Sequence, residues 1–346
     1  MTGAGARLAC ALLAAMALAW SAPAQAAGTA DAARLAGSDR ARLIAGAKAE
    51  GAVSVYSSAT IEDMALVVDA FEARYGVRVA VWRGGSAEIL QRTITEARAG
   101  RHAVDVIEIP GSELEAINRE RLLQEVSLPV FAELMPQAVM PGRPWVATRL
   151  IVFALAYNTN LVRPADVPKS YRDLLDPKWR GKIGIEATDF NWFMSLTDAM
   201  GGEAGVQLFR DIGMSNGYSV RVGHTLLGNL VISGEVPLAL NLYRHFLEPA
   251  KRDGAPIDYV YLPPAMAVPS AAAVTRNAPH PYAAVLFLEF LLSDGQRILS
   301  EHDTVPTNLR YQELPEGLDL TFLDVSKYVD ESAKWRAAFR EVFTGR

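Results

Sequence analysis

Strand and helix signals alternate along the first third of this chain, and that alternation restricts the fold more than any other feature. Ala52 to Tyr56 reads as a short buried strand. Thr60-Ile61-Glu62-Asp63 then has the hydroxyl cap and following acids of a helix start, and Ile61, Met64, Ala65, Val68 and Phe71 recur at helical spacing up to Gly76. Val77 to Trp82 supplies a second strand, and Gly84-Gly85-Ser86 leads into a helix carrying Ile89, Leu90, Ile94 and Ala97. A third strand, 103–109, ends at Pro110-Gly111, where Ser112-Glu113-Leu114-Glu115 has capping-box spacing. Successive βα units imply a parallel sheet, so a ligand crevice is expected outside the carboxyl ends of the strands.

The same grammar continues less regularly. Leu150 to Tyr157 reads as an apolar strand, and Pro164, Pro168 and Pro177 punctuate a loop-rich crossing after Asn158-Thr159-Asn160, which places a lobe boundary near Tyr157. Beyond it, Lys182 to Ala187, Tyr218 to Val222 and Val236 to Asn241 read as strands. Helices follow each of them, the first capped at Thr188-Asp189, the second opening at Gly223-His224-Thr225 and the third running from Tyr243 to Asp253. The strand Asp258 to Leu262 and the loop Pro263-Pro264 carry the chain back to lobe one, and Pro281 to Leu292 and Ser326 to Phe343 read as helices.

At the amino end, Arg7 precedes an apolar run from Leu8 to Trp20, and small residues close on Ala24-Gln25-Ala26. These are the parts of a cleaved signal peptide, expected over residues 1–26, and the apolar run is too short for a permanent span. The sole cysteine, Cys10, falls inside it, so a periplasmic protein without thiols is expected. The net charge of −5, one unit more negative once Arg7 is lost, and the lack of any long Lys/Arg block exclude a nucleic-acid binder. The roughly 320 residues that remain exceed the comfortable size of one core, so two lobes are expected.

The order of the segments resembles the periplasmic solute-binding proteins of ATP-binding-cassette importers, in the group that includes ferric-ion, thiamine, polyamine and phosphonate binders. Its carriers are Val53-Ser54-Val55-Tyr56-Ser57-Ser58, Asp105-Val106-Ile107, Leu155-Ala156-Tyr157-Asn158-Thr159, the run from Asp173 to Gly184, Ser233-Gly234-Glu235-Val236-Pro237 and Val305-Pro306-Thr307-Asn308. The resemblance covers nearly the whole mature chain. It implies an α/β protein with the two-lobed, type II periplasmic-binding fold, each lobe a mostly parallel sheet flanked by helices, the two joined by hinge strands. Lobe one is then 27–156 with about 265–303, lobe two is 157–264, and 304–346 is a C-terminal segment near the lobe junction. The partners implied are a small-molecule solute and an inner-membrane permease, with a signalling receptor as the alternative, and the protein is expected to be a monomer.

At the expected cleft, Ser57, Ser58 and Thr60 offer hydroxyls and backbone N–H groups at a helix N-terminus, which favours anions. Gly84-Gly85-Ser86 forms a second such terminus and Thr188-Asp189 a third, where the Asp189 carboxylate either opposes an anion or caps its helix. Arg83, directly after the second strand, is suited to pair a carboxylate or phosphonate, against its plain reading as a surface arginine. His224 is either a donor to the ligand or a loop histidine satisfied by backbone, while Asn241 and Tyr157 bond either ligand or hinge. Tyr243 sits where the resemblance puts a ligand contact. The solute expected is small and anionic or polar organic.

Ferric iron is the alternative. Ferric binders of this group typically place two adjacent tyrosines at the start of the helix after the Val236 to Asn241 strand, because phenolates suit a hard trivalent ion. This chain has Leu242-Tyr243 there, and Ser57-Ser58-Ala59-Thr60 stands where a His or Glu is typical. Tyr243 is the metal ligand only under that alternative; otherwise no metal or cofactor is expected. An exported enzyme is the competing class, but there is no G-x-S-x-G elbow and no H-E-x-x-H, and the five histidines are scattered.

Overall fold

The computed structural model describes residues 22–345 apart from 140, 141, 143, 313, 316 and 317, so most of the signal-peptide segment lies outside the described residues. Two helices that the strand alternation does not announce, α1 (Ala22–Ser38) and α2 (Arg40–Glu50), precede the first sheet and pack on a later apolar helix. Asp39 caps α2 by accepting the Arg42 N–H, and Gly51 ends it in the left-handed conformation that a side chain would resist.

Lobe one then builds β1 (Ala52–Ser57), α3 (Ile61–Tyr75), β2 (Arg78–Arg83), α4 (Ser86–Arg98), β3 (Val106–Pro110), α5 (Gly111–Arg119) and β4 (Leu123–Gln124). β1 lies between β2 and β3, parallel to both, as the successive βα units require. The capping box expected at Ser112 is absent. Pro110 precedes α5 without a side-chain cap, and Glu115 instead accepts from Trp145 Nε1 at 3.2 Å, because the buried indole needs a partner more than the helix end does.

The chain crosses between lobes on one long strand, β5 (Val146–Asn158). Lobe two contains β6 (Ile183–Glu186), α6 (Phe190–Ala199), α7 (Glu203–Asn216), β7 (Ser219–Arg221), α8 (His224–Ser233), β8 (Leu238–Tyr243), α9 (Arg244–Arg252) and β9 (Ile257–Val260). The return is β10 (Ala265–Thr275), followed by α10 (Pro281–Leu292), α11 (Asp294–Ser300), β11 (Val305–Pro306), β12 (Leu320–Phe322) and α12 (Val325–Thr344). The strand order is β2-β1-β3-β10-β5-β8-β6-β7. β5 pairs with β10 as far as Val152 and with β8 from Phe153, so one strand serves both sheets. The register slips between Ala154 and Ala156 on β5 and between Ser270 and Ala271 on β10.

Apolar burial follows this division. One cluster joins α1, α2, α3 and α10 to the outer face of the lobe-one sheet. A second runs from Ile107, Ile109 and Leu114 through Trp192 and Phe193 to Phe339 and Phe343 of α12, so it crosses from one lobe to the other. A third, with Leu227, Val231 and Leu242, fills the remaining face of lobe two. Among the described residues no helix is long and apolar enough to cross a membrane.

Candidate functional site

Glu186 ends β6, Asp189 immediately precedes α6, His224 opens α8 and Tyr243 ends β8, so neighbouring elements deliver four polar side chains to one place. Asp189 is the buried hub. Its Oδ2 accepts from Asn241 Nδ2 at 2.7 Å, and its Oδ1 accepts from the Tyr243 hydroxyl at 3.3 Å and lies 3.3 Å from His224 Nε2. Burial pushes this carboxyl up to about 6, with the His224 contact pulling the other way. Burial, reinforced by the charge of Asp189, holds the Tyr243 phenol well above its ordinary value.

The surroundings fix this hub in place. Asn241, fully buried, accepts the Glu186 N–H at 2.9 Å through Oδ1, which orients its amide toward Asp189. The Glu186 carboxylate accepts the Thr188 N–H at 2.6 Å, the Thr188 hydroxyl at 2.8 Å and the Gly223 N–H at 3.0 Å, tying the loops before α6 and α8 together. Glu186, Asp189 and His224 each offer a ligand atom within 4.8 Å of the others. Tyr243 lies between two imidazoles: its ring centroid is 3.7 Å from that of His224, at 31°, and 5.2 Å from that of His245, at 27°. Desolvation by its packed surroundings, and then the charge of Arg149, lowers His245 to about 4, although the residue keeps an exposed surface.

A second buried carboxylate organises the lobe-one side. Glu108 on β3 accepts from the Ser57 hydroxyl at 2.6 Å and the Ser270 hydroxyl at 3.0 Å, and Arg149 Nη1 stands 2.9 Å from its Oε1. Four strands, β1, β3, β5 and β10, therefore converge on one side chain. Both carboxylates lie toward the carboxyl ends of the parallel strands of their own sheet, the position where open α/β sheets hold ligands.

The expected residues divide accordingly. Asp189, His224, Asn241 and Tyr243 come together, but Asp189 makes no capping hydrogen bond to α6, since its oxygens are taken by Asn241, Tyr243 and His224. Thr188 is turned to Glu186 through both its N–H and its hydroxyl. The N–H groups expected at the first helix terminus are also committed: Ser58 N–H donates to the Glu108 carbonyl at 3.1 Å and Ala59 N–H to Ser57 Oγ at 3.0 Å. Thr60 accepts from Asp63 N–H as the cap of α3.

Arg83 is exposed, and its Nε donates to the Ala59 carbonyl at 3.0 Å. With Ser57, Thr60, Ile61 and Met64 it borders a cavity of about 280 Å³ between α3 and β2, on the edge of the lobe-one sheet. Gly84 is packed on Trp82 and Glu88, while Gly85 caps α4 and Ser86 begins it. Tyr157 is separated from the cluster: it pairs with Leu238 at the opposite end of β8 from Tyr243, and its phenol sits by Asp258. Trp192 is fully buried core.

Sequence reasoning missed Glu108, Arg149, Glu186 and His245. A signal existed for the first two. Each is a charge inside an apolar strand run, Val106-Ile107-Glu108-Ile109 and Thr148-Arg149-Leu150-Ile151, and such charges are buried only when paired.

Comparison with known proteins gives a consistent result. Residues 53–302 match the profile of the bacterial extracellular solute-binding proteins. The chain is 24% identical over 270 residues to iron uptake protein A1 of Synechocystis sp., covering 72% of this chain and 74% of that one. It superposes on iron-bound HitA from Pseudomonas aeruginosa with a TM-score of 0.71 and 22% identity, over 84% of this chain and 99% of that one. AfuA from Actinobacillus pleuropneumoniae, with fructose-6-phosphate bound, gives a TM-score of 0.68 and 21% identity, over 85% of this chain and 99% of that one.

Proposed function

Since this chain belongs to the bacterial extracellular solute-binding proteins and has the two-lobed, type II periplasmic-binding fold, we propose that it is the periplasmic capture component of an ATP-binding-cassette importer. It takes a small anionic or polar organic solute between its lobes and hands it to an inner-membrane permease. In this reading it is a monomer, carries no resident cofactor and leaves its solute chemically unchanged. Lobe one is then 27–156 with about 265–303, lobe two is 157–264, and 304–346 lies near the lobe junction; the exchange of partners on β5 between Val152 and Phe153 supports a crossing on this strand.

One observation carries the proposal. Two buried polar clusters, Ser57–Glu108–Arg149–Ser270 and Glu186–Asp189–His224–Tyr243, occupy the ligand-binding ends of the two sheets on either side of a shared crossing strand. A thermal-shift screen of carboxylates, phosphonates, sugar phosphates, polyamines, neutral sugars and ferric salts tests it. A solute at a hundred times its Kd stabilises the folded state by about 2.7 kcal/mol, which is a readable shift. Organic anions are expected to raise the melting temperature and neutral sugars are not; shifts confined to cationic or neutral compounds would discard this solute class.

Ferric iron as cargo is the second reading, favoured by the carboxylate, imidazole and phenol donors gathered at Asp189 and by the iron named in two of the similar proteins. Leu242 is buried in the third apolar cluster, and the one neighbouring phenol is held protonated by burial and by Asp189. The protein is therefore expected to stay colourless after loading with ferric citrate. A strong visible band that disappears in Tyr243→Phe would make iron the cargo.

A further inference from the structure

We propose that Arg149 selects the charge of the solute, seating a carboxylate or phosphoryl oxyanion on the lobe-one side of the crossing; the inference rests on the solute-capture reading above. Arg149 lies on β5 just before the strand changes partners, opposite Ser270 of β10 and Pro306 of β11. A guanidinium offers five N–H donors. Among the described residues its one ion-pair partner is Glu108, and although Nη1 is 2.9 Å from Oε1, that buried nitrogen has no hydrogen-bond acceptor in acceptable geometry. The side chain is only 14% exposed, so these donors are largely withdrawn from water. A buried donor left unmade is costly, and an oxyanion meeting the planar fork bidentately would satisfy it.

Glu108 cannot supply that missing geometry by turning. Its two oxygens are already held by the hydroxyls of Ser57 and Ser270. Arg244, at the start of α9, adds a second guanidinium bordering the same region, since its Nη1 donates at 3.1 Å to the carbonyl of Asp303, just before β11. Arg83, by contrast, is exposed and already donates to a carbonyl. Across the crossing stand the carboxylates of Glu186 and Asp189, engaged within their own cluster. Charge complementarity then describes the solute: an oxyanion at the Arg149 end and no second anionic group at the end near these carboxylates.

The plainer role of Arg149 is to neutralise Glu108 and nothing more, and two variants separate the readings. Arg149→Lys keeps the charge beside Glu108 but loses the planar fork. The double variant Arg149→Met with Glu108→Gln removes both charges, so no unpaired ion is left buried. Inorganic phosphate, sulfate and acetate serve as probes, with affinities read by calorimetry and by saturable thermal shift. Wild type is expected to bind at least one of the three, Arg149→Lys about tenfold or more weakly, and the double variant not measurably, while circular dichroism shows each variant folded. If the double variant fails to fold, Arg149→Lys decides.

Equal affinity in wild type and Arg149→Lys, or no saturable binding of any of the three anions by wild type, overturns the inference. Ferric chloride, spermidine and glucose run in parallel separate this failure from that of the capture reading. If one of them binds wild type and variants alike, solute capture stands and only the role of Arg149 falls. If no anion and none of these three binds, the capture reading falls with it.

Discussion

Two groups beside Tyr243, the buried Asp189 and the surface-exposed His245, shift in opposite directions, and solvent screening makes the effect of His245 on stability the smaller. Asp189 titrates near 6 when folded against 3.8 ordinarily, so its contribution is fully present below 3.8 and is lost as pH rises through 6. His245 titrates near 4 when folded against 6.5 ordinarily, so its contribution is present above 6.5 and is lost as pH falls through 4. Between about 4 and 6 Asp189 holds a proton in the folded state that it lacks when unfolded, so its contribution grows as pH falls through that range. Asp189→Asn removes it, so the variant is expected to lose stability relative to wild type as pH falls from 6 toward 4, by up to about 3 kcal/mol. Urea midpoints across that range, parallel for the two proteins, would refute the assignment. The candidate site was legible where a polar side chain stands at or just after a strand end, as at Asn241, Tyr243 and His224. The bonds made by Ser57 to the Glu108 carboxylate and by the Ser58 N–H to the Glu108 carbonyl were not legible, because they form only when β1 and β3 pair, and nothing in the local sequence shows that Thr188 is turned back to Glu186.

At the scale of elements, α6 matters most because its first turn follows Asp189. Gly205 of α7 presses on its other end: a Cβ there would lie 2.7 Å from the Thr197 carbonyl oxygen and 2.8 Å from its Cα. Backbone cannot yield as a side chain can, so Gly205→Ala is expected to cost about 1–3 kcal/mol, read as a lower urea midpoint with an unchanged m-value. From the opposite face α12 supplies Phe339, fully buried, with ring centroids 5.2 Å from Phe190 and 5.7 Å from Phe193. Phe339→Ala is expected to cost about 3–5 kcal/mol. A loss under 1 kcal/mol would show that α12 is only loosely docked. The sequence made α10 legible because an apolar run broken only by Glu289 begins at Pro281 and stops at Ser293. It hid α1 and α2, where alanines and glycines show weak periodicity and the helices are buried by packing against α10 rather than by a pronounced apolar face.

For the molecule as a whole, capture is expected to bring the lobes together. Small-angle scattering with the compound that gives the largest thermal shift should show a smaller radius of gyration at saturation, and an unchanged radius would rule out closure. α12 touches both lobes: Arg119 of α5 reaches its Asp330 at 2.5 Å, while its Lys327 pairs with Asp198 of α6. Both pairs are partly or largely solvent-exposed, so they are expected to offer little resistance to closure. The slips in register on β5 and β10 have a different consequence. A ladder that loses a rung twists there more readily than where its pairing is regular, and both irregular places lie along the crossing. On the capture reading proposed above, closure would follow a single crease rather than a ball joint, the two faces meeting along one arc. Such a device would gauge length as well as charge: a solute too short would leave the two carboxylate clusters unbridged, and one too long would prop the crease open.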